Sequence, residues 1–356
     1  MKTLFSLSVL SAFAVVALAG NLNPSDPPGP TMKTLDEVEP RIPIHESDLP
    51  LKLGDPGSYY LTEDVNYADT AITIQVENVT IDLSGYSLIG PDSGTNYGIY
   101  IDDVSNVEIR NGTVVNFGTN GIYATTGSSY IRVINVRAIS NNSRGIVLLG
   151  QGNLVRDCFA GDNGDHGIYA GYFSTVTGNV TRNNGNYGIF AGSGCTFIGN
   201  TASGNGGAGI ATSGSTVKDN TSRENGGRGI EASNSTISGN TVSENGDSGI
   251  YAGVNSLVTN NTVHANNNND VSTNAGIKFE HHCIVKGNNC ISNLQNNIYV
   301  WGYDNTIEEN LVTASSGYGI YFRITGSFYA NNRAAANGTD YGNTAGNTDG
   351  GGNVSF

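Results

Sequence analysis

Residues 199–212 read GNTASGNGGAGIAT, residues 219–232 read DNTSRENGGRGIEA, and residues 239–252 read GNTVSENGDSGIYA. They are one unit met three times, 20 residues apart. Outward from these windows the unit persists with Asn in register. A first Asn falls at Asn179, Asn200, Asn220, Asn240, Asn261, Asn288, Asn310 and Asn332. A second falls at Asn163, Asn184, Asn205, Asn225, Asn245, Asn266, Asn293 and Asn337. A fixed period of this length marks a solenoid, in which each repeat is one turn of a stack.

Each turn carries three short pieces. One is Gly-Ile-x-Ala, as at Gly167, Gly188 and Gly249; the others are Ser-Thr-Val, as at Ser215, and Asn-Thr-Val, as at Asn240 and Asn261. Apolar and polar residues alternate as in strands, and Gly and Asn supply the bends. Three strands per turn predict an all-β fold, a single-stranded parallel β-helix. The inward file Ile99, Ile122, Ile146, Ile168, Ile189, Ile210, Ile230, Ile250, Ile277, Ile298 and Ile320 counts about eleven turns. The Asn columns are expected to adopt the left-handed conformation at tight turns and to hydrogen-bond between turns. The N-x-S/T matches therefore read mostly as ladder residues, not glycosylation sites.

The ends differ in kind. Residues 1–19 combine Lys2, an apolar run and Ala-Leu-Ala before Gly20, which predicts a signal peptide and a secreted or cell-surface protein. The run is too short to span a membrane, and no membrane span is expected elsewhere. Residues 20–30 read as a Pro-rich linker. Residues 31–58 read as an N-terminal cap opening on a TLDE capping box at 34–37, residues 59–337 as the β-helix, and residues 338–356 as a C-terminal tail outside the repeat.

The formal net charge is −14, one unit more negative once Lys2 leaves with the leader, so nucleic acid is excluded as a partner. Four cysteines in an exported chain raise the question of disulfides. Cys195 and Cys283 share a column four turns apart, roughly 19 Å at the strand spacing, beyond bridging reach. Cys158 lies six turns from Cys290. Only Cys283 with Cys290, on one turn, stays open. Free thiols filling small ladder positions is the favoured reading.

On the Gly-Ile-x-Ala strand, x points outward. Down the stack it reads Tyr100, Tyr123, Val147, Tyr169, Phe190, Ala211, Glu231, Tyr251, Lys278, Tyr299, Tyr321. The residue before Gly shares that side and includes Arg144, His166, Tyr187 and Arg228. Exposed strand positions are ordinarily polar, and planar rings suit sugar faces. Tyr123, Tyr169, Tyr187, Phe190, Tyr299, Tyr321 and Arg144 are thus the expected polysaccharide contacts. Ordinary cross-strand ring pairing accounts for such a stripe equally well.

Two polar groups interrupt the rings. β-Elimination of a uronic-acid chain requires a neutralised carboxylate, a base for the C5 proton and an acid for the leaving oxygen. Arg228 is the candidate for the carboxylate, Lys278 or His281 for the base, and Tyr251 for the acid. Glu231, Glu280 and Asp270 are candidate ligands for Ca²⁺, a hard cation that prefers oxygen. In the other group, His166 and Tyr169 are the candidate base and acid. Residues 266–275 lengthen one turn to 27 residues and are expected to overhang this face. The bland alternative is solvated surface charge.

The repeat windows and the Asn columns resemble the right-handed parallel β-helix proteins of the pectate-lyase-like superfamily, over residues 59–337. The resemblance implies a groove for polysaccharide and activities that include lyases, hydrolases and uronan epimerases. The hydrolases' Asp triad has no counterpart here. Asp165-His166-Gly167 lacks the Pro and Glu of the epimerases' Asp-Pro-His-Glu segment. Arg228, Lys278, Glu231 and Glu280 match the lyases' residue types without a motif. The expectation is a monomeric exported β-helix that binds polysaccharide along its Tyr-lined face and acts as lyase or epimerase. The alternative is a non-catalytic carbohydrate-binding rod.

Overall fold

The computed structural model describes residues 41–356. The expected signal peptide, the linker and the TLDE segment lie outside the described residues. From Ile42 onward short strands stack in parallel, turn upon turn. Among the described residues the only helical element is one 3-10 turn, Glu46–Asp48.

The Gly-Ile strands form a 14-stranded parallel sheet. The other two strand files merge into a 27-stranded sheet, because Val107–Val115 and Arg132–Ile139 run unbroken through both. The stack therefore has about 14 turns, not eleven. The isoleucine file continues through Leu51 and Ile72 before Ile99, and through Tyr341 after Ile320. These positions lack the preceding Gly that marks the file in the repeats. The boundaries shift accordingly. Ile42–Ile44 and Leu51–Leu53, expected within a cap, already pair with the next turn. Residues 338–356, expected as a tail, supply Thr339–Gly342, Thr348–Asp349 and Val354–Ser355, which pair with the turn before.

The Gly of Gly-Ile is set by close approach between turns. A Cβ on Gly229 would lie 2.3 Å from Val242 Cγ1 and 2.6 Å from the Gly249 carbonyl oxygen. Inside, the isoleucine file is fully buried. At the bends the Asn side chains form ladders. Asn200 donates its backbone N–H and its Nδ2–H to Asn220 Oδ1, both at 2.9 Å, and a second Nδ2–H to the Val176 carbonyl at 2.8 Å. The buried amide groups of the ladder are thus satisfied by neighbouring turns. The left-handed residue is the one before the ladder Asn, not the Asn itself. Gly199, Asp219, Gly239 and Asn260 have φ of 65°, 55°, 67° and 56°. The second ladder skips Ser315. Asn297 bridges the gap, accepting from Asn293 at 2.8 Å and donating to Asn337 at 3.0 Å.

All four cysteines are free and buried, Cys283 and Cys290 included. Cys195 serves as a ladder member: its Sγ accepts the Ser174 N–H and donates to the Gly171 carbonyl.

Candidate functional site

Strand pairing places the outward residues of the 14-stranded sheet in one row, from Tyr100 to Tyr321. The rings gather into three groups. Tyr97, Tyr100 and Tyr123 meet with centroids 5.2 and 5.8 Å apart. Tyr169, Tyr187 and Phe190 pack around His166, with Tyr169 and Tyr187 at 5.1 and 5.5 Å from Phe190. Tyr299 and Tyr321 pair at 5.3 Å, with Tyr318 and Trp301 beside them.

Between the second group and Arg228 the stack is cut. Ala208 and Ala211 hold both outward positions of that turn, where neighbouring turns carry Tyr187 and Phe190 or Arg228 and Glu231. A cleft of about 320 Å³ opens there, lined by Tyr169, Tyr172, Tyr187, Phe190, Ala211 and Glu231. A second cleft, lined by Tyr187, Ala208, Arg228, Glu231 and Asp247, shares Tyr187 and Glu231 with the first. Ring faces form one wall and an ion pair the other.

That ion pair is Arg228 Nη1 to Glu231 Oε1, at 2.7 Å. The guanidinium also lies 3.8 Å from the centroid of the Tyr251 ring. The Tyr251 hydroxyl donates to Glu280. Burial, reinforced by that hydrogen bond, pushes the phenol up to about 12, so it keeps its proton at neutral pH. Lys278 follows Tyr251 in the row, and its Nζ lies 4.6 Å from the Trp301 ring. Burial and the Arg228 charge hold its amine below the ordinary lysine value. Arg228, Glu231, Tyr251 and Glu280 are thus brought together, and Lys278 borders them.

Other expected members sit elsewhere. His166 is only 7 % exposed and packs against Tyr187 and Phe190, with ring centroids at 5.2 and 5.7 Å, so it supports the rings. Its Nδ1 is 3.2 Å from Asp165 Oδ1 but out of line for a hydrogen bond. Burial, aided by the Arg144 charge, holds the imidazole below its usual value. Arg144 donates to Asp165 at 2.7 Å and lies 5.6 Å from the Tyr169 ring. His281 is held at the corner. Its Nδ1 accepts the Tyr303 N–H at 3.1 Å, and the two rings pack at 4.1 Å.

The expected calcium ligands are not gathered. Glu231 pairs with Arg228, Glu280 accepts from Tyr251, and Asp270 accepts from Gln295 at 2.6 Å. Among the described residues no three His, Cys, Asp or Glu side chains cluster as a cation site. The loop at 266–275 does border the face. Asn274 ties it to Asp247 at 3.2 Å, and Ser272 and Thr273 line a cleft with Tyr299, Tyr318 and Tyr321.

Trp301, Arg323 and Tyr172 join this face beyond the residues expected from the repeat. Trp301 and Arg323 stand two residues after Tyr299 and Tyr321 and so share their side, which strand parity alone predicts. The Arg323 guanidinium lies 3.7 Å from the Trp301 ring. Tyr172 lies past the strand end, where parity says nothing.

Residues 65–225 and 211–356 match the family model described as right handed beta helix region. The chain belongs to this right-handed β-helix family. No curated protein matches it. Among solved structures, this β-helix is similar to the mannuronan C-5 epimerase AlgE6 A-module of Azotobacter vinelandii. The identity is 17% and the TM-score 0.66, over 85% of this chain and 91% of that one. The AlgE4 A-module of the same organism aligns with 16% identity and TM-score 0.59, over 80% and 88%. The periplasmic alginate epimerase AlgG aligns with 16% identity and TM-score 0.53, over 85% and 79%. These likenesses show the shared fold. Among the described residues no helix is long and apolar enough to cross a membrane.

Proposed function

We propose that this β-helix is a secreted protein that binds an acidic polysaccharide on its aromatic face and acts at C5 of a uronic-acid residue there. The observation that carries this reading is the cleft walled by Tyr187 and Phe190 on one side and by Arg228 on the other. Rings stack on sugar faces, and a guanidinium with donors to spare takes a carboxylate in two-pronged fashion. Neutralising that carboxylate acidifies the C5 proton. Tyr251 is the group to take the C5 proton beside Arg228, its own hydroxyl proton passing to the Glu280 carboxylate to which it donates. Loss of the C5 proton with expulsion of O4 is lyase chemistry; return of a proton to the opposite face is epimerisation. The mannuronan and alginate epimerase likenesses favour uronans as the polymer class.

A non-catalytic binding rod is the second reading. It is favoured by the engagement of Arg228 and Tyr251 with Glu231 and Glu280, which leaves both partnered without substrate. The two separate on incubation with alginate, pectate and chondroitin. The catalytic reading expects unsaturated product absorbance or a changed uronate composition. Retention on an immobilised uronan with neither change supports the rod. Absence of retention and of product contradicts both.

A further inference from the structure

One indole on the outward face carries two cations. Lys278 Nζ lies 4.6 Å from the centroid of the Trp301 ring, and the Arg323 guanidinium lies 3.7 Å from it. The backbone sets this meeting. The Trp301 and Arg323 N–H groups donate to the Phe279 and Val300 carbonyls at 3.0 and 2.9 Å. The ladder thus runs past the strand ends and places Glu280, Trp301 and Arg323 on three successive turns in one file. Lys278 stands in the file beside it, in register with Tyr299 and Tyr321.

Among the described residues neither Lys278 nor Arg323 makes an ion pair, although the chain has a net charge of −14. Asp247 and Glu280 attract the Lys278 amine from beyond ion-pair distance, and each is engaged elsewhere, with Asn274 and with Tyr251. Arg228 and Arg323 both repel that amine. A ring face supports a cation without neutralising it. Three cations within electrostatic reach of one another, two of them without a counter-charge, make a local positive field on an acidic protein. Such a field suits an anion.

We propose that Lys278, Trp301 and Arg323 form a second acidic-sugar subsite, which takes the carboxylate of a further uronate in the bound polymer. The proposal rests on the proposed function and extends it along the rod. Lys278 stands two turns beyond Arg228, roughly 10 Å at the strand spacing, within the span of a short oligosaccharide. Trp301 offers its ring to a sugar face, and the flanking cations meet the acid that the sugar carries. Tyr299, packed on Trp301 and Tyr321, continues the ring surface. Attachment at two places on one polymer raises affinity through the high effective concentration of the second contact. On this reading Lys278 binds carboxylate and is not the base at C5.

The test is isothermal titration of the full chain with short oligomers of alginate, pectate and chondroitin. Lys278→Gln with Arg323→Gln is expected to weaken binding about tenfold or more. Arg323→Gln alone, at an exposed position where folding is not at stake, is expected to weaken it several-fold. Lys218→Gln with Lys286→Gln removes the same charge from the 27-stranded sheet and is expected to leave affinity within about twofold. Unchanged affinity in the Lys278 and Arg323 variants overturns the subsite and leaves the function standing. So does an equal loss in the Lys218 and Lys286 variant. Failure of the unaltered protein to bind any uronan overturns the function and the subsite together.

Discussion

The Arg228 guanidinium lies 3.8 Å from the centroid of the Tyr251 ring while its Nη1 holds Glu231 Oε1 at 2.7 Å. One cation is thus oriented by a ring below and a carboxylate beside it, at the wall of a cleft. The pair is about one-third exposed (31% and 37%), where such pairs contribute about 0–1 kcal/mol. Arg228→Gln should leave the unfolding midpoint almost unchanged while abolishing retention on an immobilised uronan. A large stability loss would mean that Arg228 is structural.

The Asn ladders carry stability. Asn220 accepts from the Asn200 N–H and Nδ2 at 2.9 Å and donates to Phe197 and Asn240 at 3.1 and 3.0 Å. Asn220→Ala orphans buried groups on both sides, each costing about 1–3 kcal/mol. A loss of about 3 kcal/mol or more is expected by denaturant unfolding.

Glycine in the isoleucine file should be equally intolerant. Gly229→Ala places a Cβ 2.6 Å from a backbone oxygen of the next turn. The strand cannot yield without opening its pairing to Ile250. Poor folding, or a sharply lowered melting temperature, is the expected outcome.

Repetition made the fold legible. Gly-Ile and Asn recur because turns pack closely and amides bond turn to turn, so each position reports a contact. The end turns were not legible, since Ala71-Ile72 and Asp340-Tyr341 fill the same register without the Gly. Strand parity found Arg228, Tyr251 and Lys278. It could not give the direction of a long side chain, and the Lys278 amine lies over the Trp301 ring. Nor could it show that the rings around His166 bury it.

Acid should weaken the fold in two steps. The imidazole of His166 is held below 6.5, so the unfolded chain takes up its proton first. Its contribution is complete above pH 6.5 and is lost as pH falls through the folded value. For Asp165, burial opposes ionisation, but the Arg144 hydrogen bond and charge outweigh it and hold the carboxyl below 3.8. That contribution is present above 3.8 and lost as pH falls below. His166→Gln should flatten the first step of a stability profile and keep the second.

The thiols should be inert in the native state. Burial pushes Cys283 up to about 11 and Cys158 up to about 12, and pushes Cys290 higher still. A thiol reagent should find almost none before unfolding and all four after it, without prior reduction.

The most direct test of the functional claim is deuterium at C5. Alginate incubated with the protein in heavy water is read by nuclear magnetic resonance, with Arg228→Gln and Tyr251→Phe as comparisons. Solvent deuterium should enter C5 with the unaltered protein and not with either variant. No exchange at C5 in any uronan, or undiminished exchange in both variants, would contradict catalysis at this site.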